Sequence, residues 1–317
     1  GDVETIAEQN LRVHPGSMAI QFGASAFEGY KVLKTQNGYN SFRLDENFRR
    51  FESTCARMCI PCPSFQIYTR ALELICQQDD VLDEPFISDW LYLRPVVFAT
   101  DSHIMPVIST RYVFAVMAAP IREYSGSGFN LWVENRFGRA CEGGLGFAKT
   151  GANYAHQLLP SKIAKEHGCD SVLWLDAKEH KYIEEGNTMN VFFKIGDEIH
   201  TPELTDTILP GITRKSVISL LTQRGYKVVE RRISVDEIPP LVASGQLKEM
   251  FITATALGVG KVSSLLHNGQ SYFVSPEEHT VNAIKEQLKN IYVHGTPDSL
   301  NWHTATYGNG RTICLAS

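Results

Sequence analysis

The stretch Gly143–Tyr154, which reads GGLGFAKTGANY, carries a single lysine, Lys149, among small residues. Small neighbours allow a bulky planar ligand to approach closely, and lysine forms Schiff bases when burial or a nearby cation lowers its pKa. Tyr154 stands five positions further on, at the start of a predicted helix, where its hydroxyl could return towards the lysine. Spacing alone favours a different interpretation, a glycine-rich surface loop with a solvated lysine, so the rest of the chain must decide.

The chain has 317 residues, of which 43% are hydrophobic and 21% charged, and its formal net charge is −5. These values are typical of a folded globular protein, and at about 100–200 residues per domain the length indicates two domains. The basic face of a nucleic-acid-binding protein is not apparent, and no apolar run approaches the ~18 residues of a membrane helix. The N-terminus GDVETIAEQN is unlike a signal peptide and lacks an initiator Met, so we expect a truncated or processed start.

Seven cysteines, an odd number, are scattered along the chain, which is typical of free thiols in a reducing compartment. Together with the absence of a secretory signal, they predict a cytoplasmic protein, with the mitochondrial matrix as the alternative. Cys59 and Cys62 form the one compact pair, but no second pair or His cluster completes a redox or metal site. We therefore predict no metal, and we expect Cys59 to end a helix and face the core.

Hydrophobic periodicity and turn residues predict two mixed α/β units. We predict a small N-terminal domain over residues 1–119, an interdomain loop over 120–128 and a larger C-terminal domain over 129–317 that carries Lys149. The predicted helices are Asp45–Cys59, Ser64–Gln77, Asn153–Glu166, Ile212–Arg224, Val235–Ala243 and Pro276–Tyr292, the last capped by Ser275. The predicted strands are Tyr92–Thr100, Arg111–Met117, Asn130–Glu134, Ser171–Asp176, Val191–Ile195, Lys227–Ile233 and Met250–Thr255. We expect little regular structure after Trp302.

Three further segments carry side chains suited to an anionic or planar ligand. Glu185 lies just before an apolar strand, where its carboxylate could face a cleft. Gly211 opens a predicted helix whose backbone N–H groups would form an anion site, with the Thr213 hydroxyl beside them. Thr255 ends a predicted strand. Taken singly, a solvated hairpin, a plain helix cap and an ordinary strand end explain these segments as well.

Several motifs in a fixed order resemble one family. They are AFEGYK (26–31), FR (42–43) through Arg50 to IP (60–61), LYLRP (91–95), KTGANY (149–154), EGNTMN (185–190), LPGIT (209–213) and TATA (253–256). Their order and wording resemble the fold-type IV (class IV) pyridoxal-phosphate enzymes, most of all the branched-chain amino acid aminotransferases, from about Leu11 to Trp302. The resemblance implies an α+β, mixed α/β, two-domain fold like that of D-amino acid aminotransferase, with the cofactor at the domain interface.

The resemblance also implies a role for each matching residue. Lys149 is the catalytic residue that would bind pyridoxal 5′-phosphate as a Schiff base, Tyr154 the partner of its phenolic oxygen and Glu185 the partner of its pyridine nitrogen. The residues that would hold the phosphate are Arg50, Gly211, Ile212, Thr213 and Thr255. The residues that would line the substrate pocket are Phe27, Tyr92, Arg94, Tyr124, Thr255 and Ala256. Arg94 would help to accept the second carboxylate of glutamate.

The implied reaction is ping-pong transamination of leucine, isoleucine or valine with 2-oxoglutarate, which yields branched-chain 2-oxo acids and L-glutamate. A carboxylate at Glu185 suits this chemistry, because it keeps the pyridine nitrogen protonated while the ring absorbs electrons. The implied partners are these substrates and a second copy of the chain in a homodimer, with no nucleic acid and no membrane. Two alternatives remain: another fold-type IV enzyme (a D-amino acid or (R)-amine transaminase or an aminodeoxychorismate lyase) and a non-catalytic homologue.

Overall fold

The structure is a computed structural model that describes residues 3–4, 11–36, 38–77, 89–124, 126–295, 300, 302, 304–307 and 313–315. The chain forms two compact units. The first contains Gly1–Glu123, Ala148–Ala152 and Lys289–Ser317, and the second contains Tyr124–Phe147 and Asn153–Leu288. The change of unit after Glu123 falls inside the predicted interdomain loop, and Lys149 belongs to the first unit; the three-part domain division stays a prediction. None of the described helices combines the length and the apolar character needed to cross a membrane.

The helices are α1 (Met18–Phe22), α2 (Leu44–Arg57), α3 (Phe65–Cys76), α4 (Leu158–Glu166), α5 (Ile212–Gln223), α6 (Ile238–Ala243) and α7 (His279–His294). The first eight strands are β1 (Ser25–Phe27), β2 (Tyr30–Thr35), β3 (Gly38–Phe42), β4 (Trp90–Ala99), β5 (Tyr112–Pro120), β6 (Phe129–Glu134), β7 (Ser171–Leu175) and β8 (Ile183–Gly186). The remaining strands are β9 (Asn190–Ile195), β10 (Glu198–Thr201), β11 (Val228–Glu230), β12 (Leu247–Ala254), β13 (Gly258–His267), β14 (Gln270–Phe273), β15 (Thr304–Tyr307) and β16 (Ile313–Leu315).

The sheet of the first unit has seven strands in the order β1-β4-β2-β3-β15-β16, and β5 also pairs with β4. All of its pairs are antiparallel, and β4 alternates between buried and half-buried residues as a strand with one covered face does. The predicted strands at β4 and β5 are confirmed. The expectation of little regular structure after Trp302 is wrong, because β15 pairs with β3, which lies far away in sequence.

Helix α2 packs on this sheet through an apolar stripe. Phe48, Phe51 and Cys55 recur at helical spacing and are buried. The prediction that Cys59 faces the core is wrong, since its side chain is exposed. The helix ends at Arg57, and Cys59 then adopts a left-handed backbone with φ 54°, which turns its side chain away from the buried stripe.

The second unit contains a mixed sheet of nine strands in the order β11-β10-β9-β12-β13-β6-β7-β8, with β14 beside β13. Strand β7 is buried on both faces, since all five of its residues are buried, and its sequence is a largely apolar run rather than an alternating pattern. Phe192 and Phe251 stack across β9 and β12 with ring centroids 5.0 Å apart. The predicted strands at β6, β7, β9 and β12 are confirmed, whereas the predicted strand Lys227–Ile233 shortens to β11.

Three of the predicted helices become α-helical later than the sequence pattern suggests, and one of them, Val235–Ala243, starts with the 3₁₀ turn Val235–Glu237 before α6. The predicted helix Asn153–Glu166 starts with two short 3₁₀ turns and becomes α-helical only at Leu158. The predicted helix Pro276–Tyr292 begins at His279, so Pro276 does not occupy its first position. The signals at Ser275 and Pro276 are local, and a buried carboxylate from a distant strand overrides them.

That carboxylate belongs to Glu249 on β12. It accepts hydrogen bonds from the backbone N–H groups of Thr280 (3.0 and 3.1 Å) and Val281 (3.0 Å), which are otherwise without partners at a helix start. Lys194 Nζ lies 3.2 Å from Glu249 Oε1 and 3.1 Å from the hydroxyl of Thr280. Burial alone would raise the pKa of Glu249, but these hydrogen bonds together outweigh it and hold the pKa below its usual value.

We expect Glu249→Ala to lower the free energy of unfolding in urea by about 3 kcal/mol, because Lys194 and two backbone N–H groups lose their acceptor. The matched control is Glu286→Ala, an exposed position on α7, the helix whose start Glu249 binds. We expect this substitution to change stability by less than ~0.5 kcal/mol. Because the pKa of Glu249 is depressed, its contribution is present above the unfolded-state value of about 4.3 and disappears as the pH falls. Equal acid sensitivity of Glu249→Gln and the wild type would contradict this account.

Candidate active site

The backbone of Lys149 is held by two elements of the first unit. Its N–H group donates to Thr54 Oγ1 on α2 at 3.0 Å, and its carbonyl accepts from the N–H group of Phe27 on β1 at 2.9 Å. The hydroxyl of Thr54 in turn donates to the carbonyl of Arg50 one helical turn earlier, at 3.0 Å. The side chain of Lys149 is half-buried. This anchoring makes the position of the lysine a property of α2 and β1 rather than of a free glycine-rich loop.

Two cationic side chains lie near the ring of Phe27. Lys149 Nζ lies 4.9 Å from the centroid of the Phe27 ring, and Arg94 Cζ lies 4.6 Å from the same centroid. Arg94 also donates from Nη2 to the hydroxyl of Tyr92 at 3.1 Å, while its buried Nε has no hydrogen-bond partner in the described part of the chain. A buried guanidinium N–H group that lacks a partner among the described residues is suited to an anionic ligand.

Arg50 is committed to a buried ion pair. Its Nε donates to Glu28 Oε1 at 2.6 Å and its Nη2 donates to Glu28 Oε2 at 2.8 Å, and both side chains are buried. The Nε–Nη2 edge of the guanidinium therefore faces Glu28. The resemblance implies that Arg50 holds the phosphate, and any such contact has to use the other edge of the guanidinium.

In the second unit, Glu185 is buried among hydrogen-bond donors. Arg139 Nη2 lies 2.6 Å from Glu185 Oε1, Asn190 Nδ2 donates to Oε2 at 3.1 Å and the N–H group of Leu209 donates to Oε1 at 3.3 Å. Arg139 is itself buried and donates to the carbonyl of Gly146 at 2.9 Å. Arg139 compensates the carboxylate charge that burial would otherwise penalise.

Asn190 connects Glu185 to the turn that starts α5. Its amide nitrogen also donates to the carbonyl of Leu209 at 3.0 Å. A Cβ atom on Gly211 would lie only 2.1 Å from Asn190 Oδ1, so only glycine fits there without a shift. Gly211 is the N-cap of α5 and is followed by buried Ile212 and half-buried Thr213. The backbone N–H groups at the start of this twelve-residue helix suit an anionic group, and the predicted anion site there stays a prediction.

The other predicted residues of the second unit occupy turns. Tyr154 lies between the two 3₁₀ turns that precede α4, and Thr255 and Ala256 form the turn that follows β12. Tyr124 stacks on Phe129 with ring centroids 4.5 Å apart, and burial raises the pKa of its hydroxyl. The hydrogen bonds described above bring Glu185 together with the turn at Gly211, and in the first unit the ring contacts bring Phe27, Tyr92, Arg94 and Lys149 together. The roles of all these residues stay predictions.

Four residues that support the site were not identified from the sequence. Glu28 and Asn190 lie within the quoted motifs, so motif membership was a usable signal for them. Thr54 follows Arg50 by one helical turn, which a helix-face argument could have used. Arg139 is an isolated cation in a loop, and nothing in its local sequence indicates that it reaches a carboxylate 46 positions further along the chain.

The comparisons with known proteins identify the class. A sequence model of the family described as amino-transferase class IV matches residues 25–265, and the chain belongs to that family. Branched-chain-amino-acid transaminase 1 of Bacillus subtilis (strain 168) is 36% identical over 301 residues, which span 92% of this chain and 84% of that protein. The probable branched-chain-amino-acid aminotransferase of Staphylococcus aureus (strain N315) is 34% identical over 308 residues, covering 95% of this chain and 85% of that protein.

Solved structures agree on the fold. The branched-chain amino acid aminotransferase from Escherichia coli matches with a TM-score of 0.77 and 26% identity, and covers 94% of this chain and 95% of its own. The branched-chain aminotransferase from Thermoproteus uzoniensis, solved with norvaline, matches with a TM-score of 0.80 over 94% of this chain and 95% of its own. At 23% identity the second match shows the fold alone. The predicted two-domain, mixed α/β fold of fold-type IV is confirmed.

Adjacent arginines on α2 test the buried pair. We expect Arg50→Met to lower the free energy of unfolding by about 3–5 kcal/mol, because Glu28 keeps a fully buried carboxylate without its counter-charge. Arg49→Met is the matched control, since the exposed Arg49 pairs only with Asp45 and Glu46 on the helix surface, and we expect a loss below ~1 kcal/mol. Urea titration of both variants measures the difference, and similar losses would show that the Glu28–Arg50 pair is energetically unimportant.

Proposed function

We propose that this protein is a pyridoxal-phosphate-dependent branched-chain-amino-acid aminotransferase. The observation that carries the proposal is the half-buried Lys149, whose backbone is anchored through both its N–H and its carbonyl group and whose amine lies close to the Phe27 ring. The relatives named branched-chain-amino-acid aminotransferases match over nearly the whole chain and support the same reaction. The proposed reaction is a ping-pong exchange in which leucine, isoleucine or valine gives its amino group to 2-oxoglutarate.

The residues fit the cofactor in charge and chemistry. The start of α5 at Gly211 offers backbone N–H groups, as the anionic phosphate of the cofactor requires. Glu185 offers a buried carboxylate of the kind that pairs with a protonated ring nitrogen. In the proposal Lys149 binds the cofactor covalently, and Tyr154, Glu185, Arg50, Thr255 and the segment Gly211–Thr213 hold it. Its position at a domain interface stays a prediction.

The proposed chemistry divides between the cofactor and the chain. Bound pyridoxal phosphate supplies the electron sink that weakens the bond between the substrate Cα and its hydrogen. The amine of Lys149 accepts the proton from the substrate Cα, as a general base whose position α2 and β1 set in advance. Glu185 keeps a proton on the ring nitrogen, and Arg139 and Asn190 keep Glu185 oriented. Phe27, Tyr92, Tyr124 and Ala256 line the proposed substrate pocket, and Arg94 binds a substrate carboxylate.

An assay separates the proposal from its alternatives. The purified protein is supplied with pyridoxal phosphate, leucine and 2-oxoglutarate, and the glutamate formed is measured. D-alanine, an (R)-amine and aminodeoxychorismate are tested in parallel. Turnover of one of these without glutamate formation from leucine would identify another fold-type IV enzyme. Absence of turnover and of a bound-cofactor absorbance band would identify a non-catalytic homologue.

We expect Lys149→Ala to remove covalent cofactor attachment and to lower turnover by about 10³-fold or more, because the variant lacks both the nucleophile and the base. Borohydride reduction followed by peptide mass analysis shows directly which lysine carries the cofactor. The matched control is Lys162→Ala, an exposed lysine on α4 that pairs only with Glu166 in a surface ion pair, and it should keep both properties. Cofactor attached to any peptide other than the one containing Lys149 would show that the assignment is wrong.

Arg94 gives a second prediction, on specificity. We expect Arg94→Met to raise the KM for 2-oxoglutarate by roughly tenfold, because a charged hydrogen bond to its second carboxylate is lost. The KM for leucine, which has no second carboxylate, should change much less. Arg49→Met serves again as the control, since that arginine lies on the exposed face of α2. Equal increases for both substrates would assign Arg94 to a structural or cofactor-binding role instead.

We also propose that the protein is a homodimer. In the first unit the side chains of Ile104, Met105 and Ile108 are 89%, 69% and 72% exposed, and the amide of Gln21 donates to the carbonyl of His103 at 2.7 Å. Phe22, next to Gln21, is also exposed. The exposed apolar surface therefore includes residues of both segments that this hydrogen bond joins, 21–22 and 103–108. Apolar patches of this kind mark interaction sites, and a second copy of the chain is the partner that the proposed function suggests. Sedimentation velocity measures the oligomeric state, and we expect a species with twice the mass of one chain. The predicted cytoplasmic location stays a prediction.

A further inference from the structure

The second unit contains a cavity of about 470 Å³ that includes none of the predicted site residues. Its volume falls within the range of about 300–1,000 Å³ that is usual for small-molecule sites. Residues of β8, the segment 176–179, the segment 202–208 and the loop around Cys141 form its walls. Because successive side chains of a strand point to opposite faces, Glu184 lines this cavity while its neighbour Glu185 points towards Asn190 and Leu209.

Glu184 is the unusual group of the cavity. Its side chain is buried, with 7% exposure, and its Oε1 accepts a hydrogen bond from the hydroxyl of Thr207. Its Oε2 is buried and has no hydrogen-bond partner among the described residues. Burial raises the pKa of Glu184 despite the opposing effects of Thr207 and Arg139, and Asp176 and Asp206 add to the increase. A buried carboxyl oxygen without a donor costs free energy that a ligand N–H group would recover.

The other charges of the cavity favour a cation. Its walls carry five acidic side chains (Glu142, Asp176, Glu179, Glu184 and Glu203) against two basic ones (Lys178 and Arg232). Arg232 is already engaged, since it lies 3.3 Å from Glu179 and its Cζ lies 3.6 Å from the centroid of the Tyr182 ring. The excess of negative charge excludes an anion as the preferred occupant.

The cavity also has apolar walls, which favour an organic ligand over an inorganic ion. Ile208 and Pro202 are buried apolar residues of its lining. In the described part of the chain, no group of three or more His, Cys, Asp or Glu side chains could hold a metal ion. A carboxylate above an aliphatic surface matches a molecule with one charged nitrogen and a short alkyl part.

We propose that this cavity binds a small aliphatic amine, whose ammonium group donates to Glu184 and whose alkyl part packs on Ile208 and Pro202. The site is separate from the residues assigned to transamination, so it does not depend on the proposed function. Its occupant supplies the hydrogen bond that no described residue gives to Glu184 Oε2. The cavity is thus a candidate effector site.

Isothermal titration calorimetry on the pyridoxal-phosphate-loaded protein tests the site with N,N-dimethylbutylamine. This tertiary amine keeps one N–H group when protonated but cannot condense with an aldehyde, so the cofactor does not interfere. We expect one molecule to bind per chain and Glu184→Gln to weaken binding roughly tenfold, because the charged acceptor is lost. Glu166→Gln, an exposed position on α4, is the matched control and should bind as the wild type does.

A neutral probe, an anionic probe and a second variant complete the test. Equal binding of 1-butanol would show that the cavity is merely apolar, and tighter binding of butyrate would show that Arg232 and Lys178 dominate it. Either outcome, or the absence of any binding by the amine, overturns the proposal. Glu203→Lys reverses a charge at an exposed lining position and should also weaken amine binding, which keeps the proposal testable if Glu184→Gln fails to fold.

Discussion

The two hydrogen bonds that hold the backbone of Lys149 are the constraint on which the proposed site depends. One comes from Phe27 on β1 and the other goes to Thr54 on α2, so the lysine is tied to a strand and a helix that are themselves packed in one hydrophobic core. A lysine on a free loop would lose conformational entropy each time it reached a substrate. Because the backbone of Lys149 is held by these two hydrogen bonds and residues 148–152 belong to the first unit, folding reduces that entropy cost before any ligand binds.

Buried carboxylates paired with cations recur around this constraint. Glu28 forms an ion pair with Arg50, and Glu185 forms one with Arg139. Glu249 pairs with Lys194 and also accepts hydrogen bonds from backbone N–H groups at the start of α7. Burying each charge is unfavourable, and the pair tolerates burial only because geometry and additional hydrogen bonds are favourable. Because each pair depends on that geometry, it fixes the relative orientation of its two side chains. The pairs at Arg50 and Glu185 orient groups proposed to bind the cofactor, and the pair at Glu249 decides where a helix begins.

The β8 strand shows how one local rule gives two different environments. Glu184 and Glu185 are neighbours with the same side chain, but strand alternation sends them to opposite faces. Glu185 meets Arg139, Asn190 and the turn at Leu209, and its charge is compensated by the protein. Glu184 accepts from the hydroxyl of Thr207 on one oxygen, and its other oxygen has no donor in the part of the chain that the structure describes. The first carboxylate suits a fixed role in the proposed reaction, and the second is suited to an exchangeable ligand.

Local patterns determined the elements whose stabilisation is local. The apolar stripe of α2, the apolar run of β7 and the glycine turn before α5 follow from neighbours within a few positions, and the sequence predicted each of them. The order of short motifs also identified the family and named Lys149, because motif order does not require knowledge of distances. The start of α7, the strand pairing of residues 304–307 and the exposure of Cys59 were predicted wrongly. In each case a contact with a distant residue or an unusual backbone angle overrides the local signal.

The sequence by itself thus determined the fold class and the residues that carry the proposed chemistry. Only the tertiary structure decided how those residues are supported: Thr54 under Lys149, Glu28 against Arg50 and Arg139 against Glu185. It also decided which of the two adjacent glutamates lines a cavity. The physical reason is that propensity and motifs act between neighbours in the chain. Burial, ion pairing and the availability of a hydrogen-bond donor depend on which distant residues the completed fold brings within a few ångströms.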